Sequence, residues 1–410
     1  MFGEGRFSKI DRWLLLRLHH LIGRPPIRLV LNGQAVPEFE EDPIADVIFS
    51  DRRTLAMAVL NPDIGFGDAY TEGRVRVEGD LTALLETVYA YMSRGNLENW
   101  CYKLASRWLE RIQANTLRNS RKNVQFHYDL DSRFFKLWLD AQLVYTCAYF
   151  PSSSATLDEA QVAKMEYVCR KLRLRRGETV VEAGAGWGAL AIHMAKHHGV
   201  AVKGYSISHE QTIYARDRAR KEGLSHEVEF IEEDYRNIRG KFDAFVSVGM
   251  LEHVGPDHFR QLGGVIQGCL SKSGRGLIHF LGRNYPFPIS AWTRKCIFPG
   301  TYAPTLGQTR DIFEPWGFTV IDVENLRPHY AKTLEHWLER FERAVPAITE
   351  MFGTDFVRGW RLYMAGSLAG FHAGTLELFQ ICFTQSASQQ IPWSRANLYS
   401  SDINSIAERK

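Results

Sequence analysis

Three glycines spaced one residue apart follow a short β-branched run in Val180-Val181-Glu182-Ala183-Gly184-Ala185-Gly186-Trp187-Gly188, and a helix-like segment begins at Ala189. Glycine lets backbone amides close on a ligand with no Cβ in the way. A strand, a tight glycine turn and a helix N-terminus make a cradle of the nucleotide-binding kind. The spacing is G-x-G-x-G, not the G-x-G-x-x-G of dinucleotide sites, and no Gly-Lys-Ser/Thr follows, so a P-loop is excluded. A turn that only packs a helix on a sheet would have the same spacing. Glu182, Gly184, Ala185, Gly186 and Trp187 are the first candidates for ligand contact.

Such a cradle needs a sheet to carry it. From about 124 onward the pattern alternates, with candidate strands at 179–182, 201–205, 228–232, 242–248 and 276–280 and helical patterns at 164–173 and 211–222. Near-continuous apolar strands alternating with helices predict a parallel, doubly wound α/β sheet. Ligands of such sheets bind where the carboxyl ends of successive strands converge. Past the second strand come Ser206, Ser208, Glu210 and Gln211; past the third, Asp234 and Tyr235, a carboxylate and a ring able to flank an adenine. Past the fourth come Glu252 and His253, and the fifth carries His279 and Leu281. The second strand lacks the terminal carboxylate that usually grips a ribose diol, which leaves Gln211 as the candidate for that contact. The glycine form fits the S-adenosylmethionine (SAM) turn of Rossmann-like methyltransferases.

The remaining chain bounds the surroundings. A length of 410 residues, 45% hydrophobic and 24% charged, suits two or three globular domains. A net charge of +3 does not imply a nucleic-acid partner. Residues 1–25 interleave Arg6, Lys9, Arg12, Arg17 and Arg24 with Trp13, Leu14, Leu15, Leu16, Leu18, Leu21 and Ile22. That pattern reads either as a basic amphipathic helix lying on an anionic membrane or as an ordinary docking helix. Residues 26–110 read as a small α+β domain, 111–123 as a connection, 124–390 as the sheet domain and 391–410 as a tail. Inserts at 283–312 and 325–371 are long enough to build a lid over a bulky substrate. Six cysteines show no zinc spacing, which points to a reducing compartment and no resident metal. Arg17 and His19-His20 break the apolar part of the N-terminal segment, so no signal peptide is expected, and no run of about 18 apolar residues spans a bilayer.

Three further stretches carry a resemblance. Asn123-Val124-Gln125-Phe126-His127-Tyr128-Asp129-Leu130, Phe134-Phe135-Lys136-Leu137-Trp138-Leu139-Asp140 and Tyr145-Thr146-Cys147-Ala148-Tyr149-Phe150 closely resemble the cyclopropane-fatty-acyl-phospholipid synthases. Gly249-Met250-Leu251-Glu252-His253-Val254-Gly255 and Ile297-Phe298-Pro299-Gly300 match the same family. The likeness covers about 120–385 and continues more weakly into 26–92, which resembles the small lipid-binding domain of the longer members. It implies a class I SAM-dependent methyltransferase fold with an N-terminal α+β lipid-binding domain. The implied reaction is attack of a cis olefin of a phospholipid acyl chain on the SAM methyl, then loss of a proton from that carbon and closure of a cyclopropane. The implied base is bicarbonate, caged by the backbones of Cys147 and Leu281 and the side chains of Glu252, His279 and Tyr330. Tyr145 and Thr146 are implied beside SAM. Tyr128, Tyr145, Tyr149 and Phe150 offer ring faces for a sulfonium or carbocation. Leu281 stands where the family often has isoleucine, a change that a main-chain contact survives. The implied setting is the cytoplasm, peripheral to the inner membrane face, with homodimerisation open.

Plainer readings accompany these residues. Cys147 lacks an evident activating base and reads as non-catalytic packing. His279 alone would be a satisfied core histidine, and Tyr330 alone a surface tyrosine. Adjacent Glu252 and His253 point apart on a helix and make no metal pair. The five basic residues in 170–176 read as a solvated helix face before a phosphate patch. Rival functions are methyl or methylene branching without ring closure, and a SAM-sensing or lipid-transfer protein without catalysis. A nucleic-acid methyltransferase is disfavoured because no Asn-Pro-Pro-Tyr/Phe follows the fourth strand.

Overall fold

A computed structural model describes residues 7–37, 42–95, 132–386, 388 and 391–399. The 123–130 motif with His127, Tyr128 and Asp129, the 111–123 connection and Cys101 lie outside the described residues. By contacts the chain forms two units. One is Met1–Gln113 with Asn284–Thr301 and Tyr330–Glu377, and the other is Ala114–Arg283 with Tyr302–His329 and Leu378–Lys410.

In the first unit, α1 (Lys9–Leu21) starts at a capping box: the Ser8 hydroxyl accepts from the Asp11 amide, and the Asp11 carboxylate accepts the Ser8 amide at 2.7 Å. A hydrogen bond from Arg52 then holds the Asp11 carboxyl down at about 2. Leu14, Leu15 and Leu18 bury into this unit's core, while Ile10, Trp13 and Leu16 on the opposite side are 60%, 60% and 46% exposed. The helix therefore docks by one face and, among the described residues, leaves an apolar face bare. It packs on a sheet of order β2-β1-β3-β4, built from β1 (Arg28–Leu31), β2 (Gln34–Val36), β3 (Ala45–Phe49) and β4 (Val75–Gly79). The 65–70 stretch falls in a helix, α3 (Pro62–Thr71), which follows α2 (Arg52–Leu60); proline at its first position and the Asn61 cap start it. α4 (Leu81–Gly95) completes the segment.

The second unit is the doubly wound sheet that the pattern predicts. Its order is β10-β11-β9-β8-β5-β6-β7. The strands are β5 (Thr179–Ala183), β6 (Ala201–Ser206), β7 (Val228–Glu232), β8 (Phe242–Val248), β9 (Leu270–Gly282), β10 (Phe318–Asn325) and β11 (Glu377–Gln385). β5 pairs in parallel with β6 and β8, β6 with β7 and β8 with β9, whereas β10 and β11 run antiparallel. Order reverses at β5, which makes its carboxyl end the switch point where ligands bind such sheets. Helices α5 (Ser132–Lys136), α6 (Leu157–Leu172), α7 (Ala189–His198), α8 (His209–Lys221) and α9 (Phe259–Cys269) accompany the strands. Alternation along β5 feeds two cores, Val180 into one and Val181 and Ala183 into the other. The basic run at 170–176 is not a uniformly solvated face: Lys171 is buried and paired with Glu324 of β10 at 2.5 Å.

The two inserts group with the N-terminal segment, so the units are discontinuous in sequence where the composition suggested contiguous domains. α10 (Ala291–Cys296) lays Trp292 against α3, where a Cβ on Gly67 would meet its ring at 2.3 Å. Lys295 pairs with Asp68 at 2.8 Å. α11 (Arg327–Phe352) leads into α12 (Thr354–His372), which packs on α3 and α4. Among the described residues five cysteines are free, and no helix is long and apolar enough to cross a membrane.

Candidate functional site

The glycine turn at the switch point serves packing at one position and leaves room at another. Gly184, Gly186 and Gly188 all take positive φ, at 88°, 54° and 85°. A Cβ on Gly188 would meet Phe230 Cζ at 2.6 Å, whereas one on Gly186 would meet nothing within 4 Å. Gly184 and Ala185 donate their amides to the Tyr205 carbonyl at 2.9 and 3.0 Å, which folds the turn over the end of β6. No side chain caps α7 at Gly188, and in its first turn the Ala191 amide is taken by the Glu182 carboxyl, which leaves the amides ahead of it with the anion-favouring character of a helix N-terminus. An aromatic wall stands beside the turn: the Trp187 ring is 4.8 Å from Phe135, and Phe135 and Trp138 lie 5.6 and 5.1 Å from Tyr145.

Beneath the turn runs a buried polar group in which Lys164 and Gln161 join motif residues from outside any motif. Glu182 is 2% exposed, and burial pushes its carboxyl up to about 8, with Lys164 acting in the opposite direction. Burial pulls the Lys164 ammonium down to about 8, opposed by Asp140, Cys147 and Glu182. Lys164 Nζ donates to Thr146 Oγ1 at 2.9 Å. One turn earlier, Gln161 Nε2 donates to the Thr146 and Val144 carbonyls at 2.8 and 3.3 Å. Asp140 accepts the Val144 and Gln142 amides at 2.8 Å each. Together α6 and Asp140 fix the 144–147 loop, and Thr146 abuts Gly249 at the end of β8, where a Cβ would sit 2.9 Å from Thr146 Cγ2.

Beyond β8 a single helical turn, Leu251–His253, brings Glu252 to the end of β9. Glu252 Oε1 accepts the Leu281 amide at 2.6 Å, while Oε2 is buried with no partner. Burial raises the Glu252 carboxyl to about 7, opposed by that amide. His279, two residues before Leu281 on β9, is 1% exposed. Burial, then the charges of Lys164 and Lys171, hold its imidazole well below its ordinary value, so the ring is neutral. Gln380 on β11 donates to His279 Nδ1 at 2.9 Å, which places the ring proton on Nε2, a buried atom without a partner. Two orphaned polar atoms at neighbouring strand ends mark a place for a polar ligand.

The other sequence candidates divide. Cys147 is buried, and its thiol donates to the Ala148 carbonyl at 3.1 Å. Ser208 caps α8 by accepting the Gln211 amide at 3.3 Å, and Ser206 accepts the Ser208 amide. Gln211 is buried and Glu210 exposed. Asp234 caps a short turn and pairs with Arg236 at 3.1 Å, with the Arg236 guanidinium 4.9 Å from the Tyr235 ring. Tyr149 stacks on Tyr167 and His329 at 4.3 and 4.7 Å, and the Phe150 amide donates to His329 Nδ1 at 3.0 Å. Tyr330 belongs to the other unit, in the first turn of α11, 4.7 Å from Phe371 and 6.0 Å from Trp337 between ring centres.

Residues 115–381 match the family model described as mycolic acid cyclopropane synthetase. The cyclopropane-fatty-acyl-phospholipid synthase of Escherichia coli (strain K12) is 33% identical over 94% of this chain and 97% of its own. The chain belongs to the mycolic acid cyclopropane synthetase family. A probable fatty acid methyltransferase of Pseudomonas putida is 33% identical over 81% of the chain and 86% of its own. The crystal structure of a mycolic acid cyclopropane synthase complexed with SAH and CTAB superposes with a TM-score of 0.62 at 28% identity, over 65% of this chain and 98% of that one. Members of this family are SAM-dependent methyltransferases, and the seven-stranded, mostly parallel sheet is the class I form.

In this chain Lys164, Gln161 and Gln380 went unread, and Asp140 was quoted only within a family motif, because each supports a site residue from another element. The one signal was polar residues at i, i+3 among buried positions of α6. The Gln380 contact generates a prediction. Nitrogen-15 NMR of His279 should show a neutral Nε2–H tautomer from about pH 6 to 8, and Gln380→Leu should turn it into a mixture. An Nδ1–H tautomer in the wild type would contradict the assignment.

Proposed function

We propose that this chain converts a cis double bond of a phospholipid acyl chain into a cyclopropane, using SAM as methylene donor. The carrying observation is the pair of buried orphan atoms, Glu252 Oε2 and His279 Nε2, at adjacent strand ends of a SAM-type sheet. Family membership and the E. coli relative's name support the substrate class. The olefin's π electrons attack the SAM methyl carbon, the carbon–sulfur bond breaks, and S-adenosylhomocysteine leaves. A proton is then lost from the added carbon and the ring closes.

The residues present fit a bicarbonate ion. Nε2–H of His279 donates to an anion, and Glu252 Oε2, near pH 7 between its two forms, meets the ion's hydroxyl proton or takes that proton on. Bound there, bicarbonate would supply the base for the methyl proton. The Leu281 amide, held by Glu252, orients the carboxylate, and Cys147 contributes through its backbone. Glu182, Gly184, Ala185, Gly186 and Trp187 with Tyr145 and Thr146 are proposed around SAM; Ser206, Ser208, Gln211, Asp234 and Tyr235 complete that set. Asp234 would act while paired to Arg236.

A branching fatty acid methyltransferase is the second reading, favoured by the name of the Pseudomonas putida relative. Purified protein with SAM and unsaturated phospholipid vesicles, followed by proton NMR, should give high-field ring protons; an olefinic methylene or a saturated methyl branch would establish the second reading. Bicarbonate depletion should lower turnover and its return restore it, and Glu252→Gln should cost about 10²–10⁴-fold. Ring formation untouched by both would overturn the cage.

The bare face of α1 supports peripheral attachment to an anionic membrane, with Arg12 and Arg17 beside Ile10, Trp13 and Leu16. Because Leu14, Leu15 and Leu18 are core residues, point changes test this better than truncation. Trp13→Glu with Leu16→Glu should abolish co-sedimentation with anionic vesicles at unchanged Tm; equal sedimentation would refute the anchor.

A further inference from the structure

Away from the strand ends, three metal-binding side chains meet between two helices that carry the site, with a carboxylate beside two of them. Glu166 and Cys169 lie one turn apart on α6, and His193 and His198 lie on α7. A ring nitrogen from each histidine and the Cys169 sulfur fall within 4.8 Å of one another. Glu166 Oε2 lies 3.0 Å from His198 Nε2 and 3.4 Å from His193 Nε2. Its other oxygen faces Arg170 at 3.5 Å, so Oε2 is the one turned to the histidines.

The Glu166 contacts are hydrogen-bond distances that the ligands of one ion would share. Zinc–nitrogen and zinc–oxygen bonds of about 2.0–2.1 Å put tetrahedral neighbours about 3.3 Å apart. The two Glu166 contacts straddle that value. A sulfur ligand at about 2.3 Å would sit about 3.5 Å from each nitrogen, so from a spacing of up to 4.8 Å binding draws Cys169 toward the histidines. His193 lies mid-helix, and His198 of the cluster lies in the C-terminal turn of α7, before the Gly199 cap. The negative end of the helix dipole favours a cation there. The Cys169 and His193 side chains are buried and the other two partly so, leaving a way in beside His198.

We propose that Cys169, His193 and His198 form a binding site for a divalent transition ion of the zinc class, with the neighbouring Glu166 carboxylate completing the ligand set when the ion binds. Nitrogen, sulfur and oxygen ligands in tetrahedral array suit zinc or cobalt better than calcium or magnesium. Binding releases the Cys169 thiol proton to solvent, and the sulfur enters as thiolate. The ion clasps α6, which holds the 144–147 loop through Gln161 and Lys164, to α7, which carries the glycine turn. It is a structural clasp, distinct from the acid at Glu252.

Full-length reduced protein titrated with zinc chloride should bind one equivalent by calorimetry, and its Tm should rise. Cobalt in the same site should show tetrahedral d–d bands and a thiolate-to-cobalt charge-transfer band, and Cys169→Ser should remove the latter. His193→Ala and His198→Ala should each weaken zinc by at least about tenfold, the low end for residues that merely support a metal ligand. His226→Ala, at an exposed histidine, should leave binding unchanged. Absence of stoichiometric binding by the wild type, or binding indifferent to the double His193→Ala/His198→Ala change, would overturn the proposal.

Discussion

The hydrogen bond from the Leu281 amide to Glu252 Oε1, 2.6 Å long, is the constraint around which the sheet unit's chemistry is arranged. It ties the turn after β8 to the end of β9 and satisfies one carboxylate oxygen. The other oxygen stays buried and unpartnered. A carboxyl in that state would ordinarily cost stability unless something compensates. Here burial raises its pKa to about 7, so it carries or releases a proton near neutrality. The Glu252 carbonyl in turn accepts the Tyr302 amide at 2.8 Å, which fixes the turn from its other side.

Around that acid the structure spends its buried polar groups on position. Gln380 sets which nitrogen of His279 bears the proton, from a strand more than a hundred residues away. Lys164 and Gln161 reach from one helix face to the 144–147 loop, and Asp140 closes the same loop through two amides. Lys164 also lies near both Asp140 and Glu182, and its charge adds to the amides that already hold those carboxyls. The result is a rigid first layer on a rigid second one, which preorganised chemistry requires.

Much of this was legible in the chain, and the legible part has a common physical source. Strands β5 to β8 follow from apolar runs flanked by polar turns, and the carboxyl ends of the sheet collect Glu252, His279 and Leu281 because doubly wound sheets put their loops there. The glycine spacing was ambiguous between packing and binding, and the answer differs by position: Gly188 is required by Phe230, whereas Gly186 faces open space. Three-dimensional support was illegible, because Gln380 and Lys164 act on residues far away in sequence and neither sits in a motif. The discontinuous grouping was also hidden. Asp68 with Lys295, and Gly67 with Trp292, join segments more than 200 residues apart through contacts that composition cannot show. At α1 the docking reading is met by Leu14, Leu15 and Leu18, while the exposed Ile10, Trp13 and Leu16 are what the membrane proposal rests on.

The most direct measurement is the titration of Glu252 itself by difference infrared spectroscopy, with the Glu252→Gln protein as the reference. A protonated carboxyl band that disappears with a midpoint at about 7 is what burial, only partly offset by the Leu281 amide and the residue's own amide, predicts. A midpoint near 4.5, the value of a solvated glutamate, would mean that water reaches the group and that the buried acid at the centre of this account does not exist.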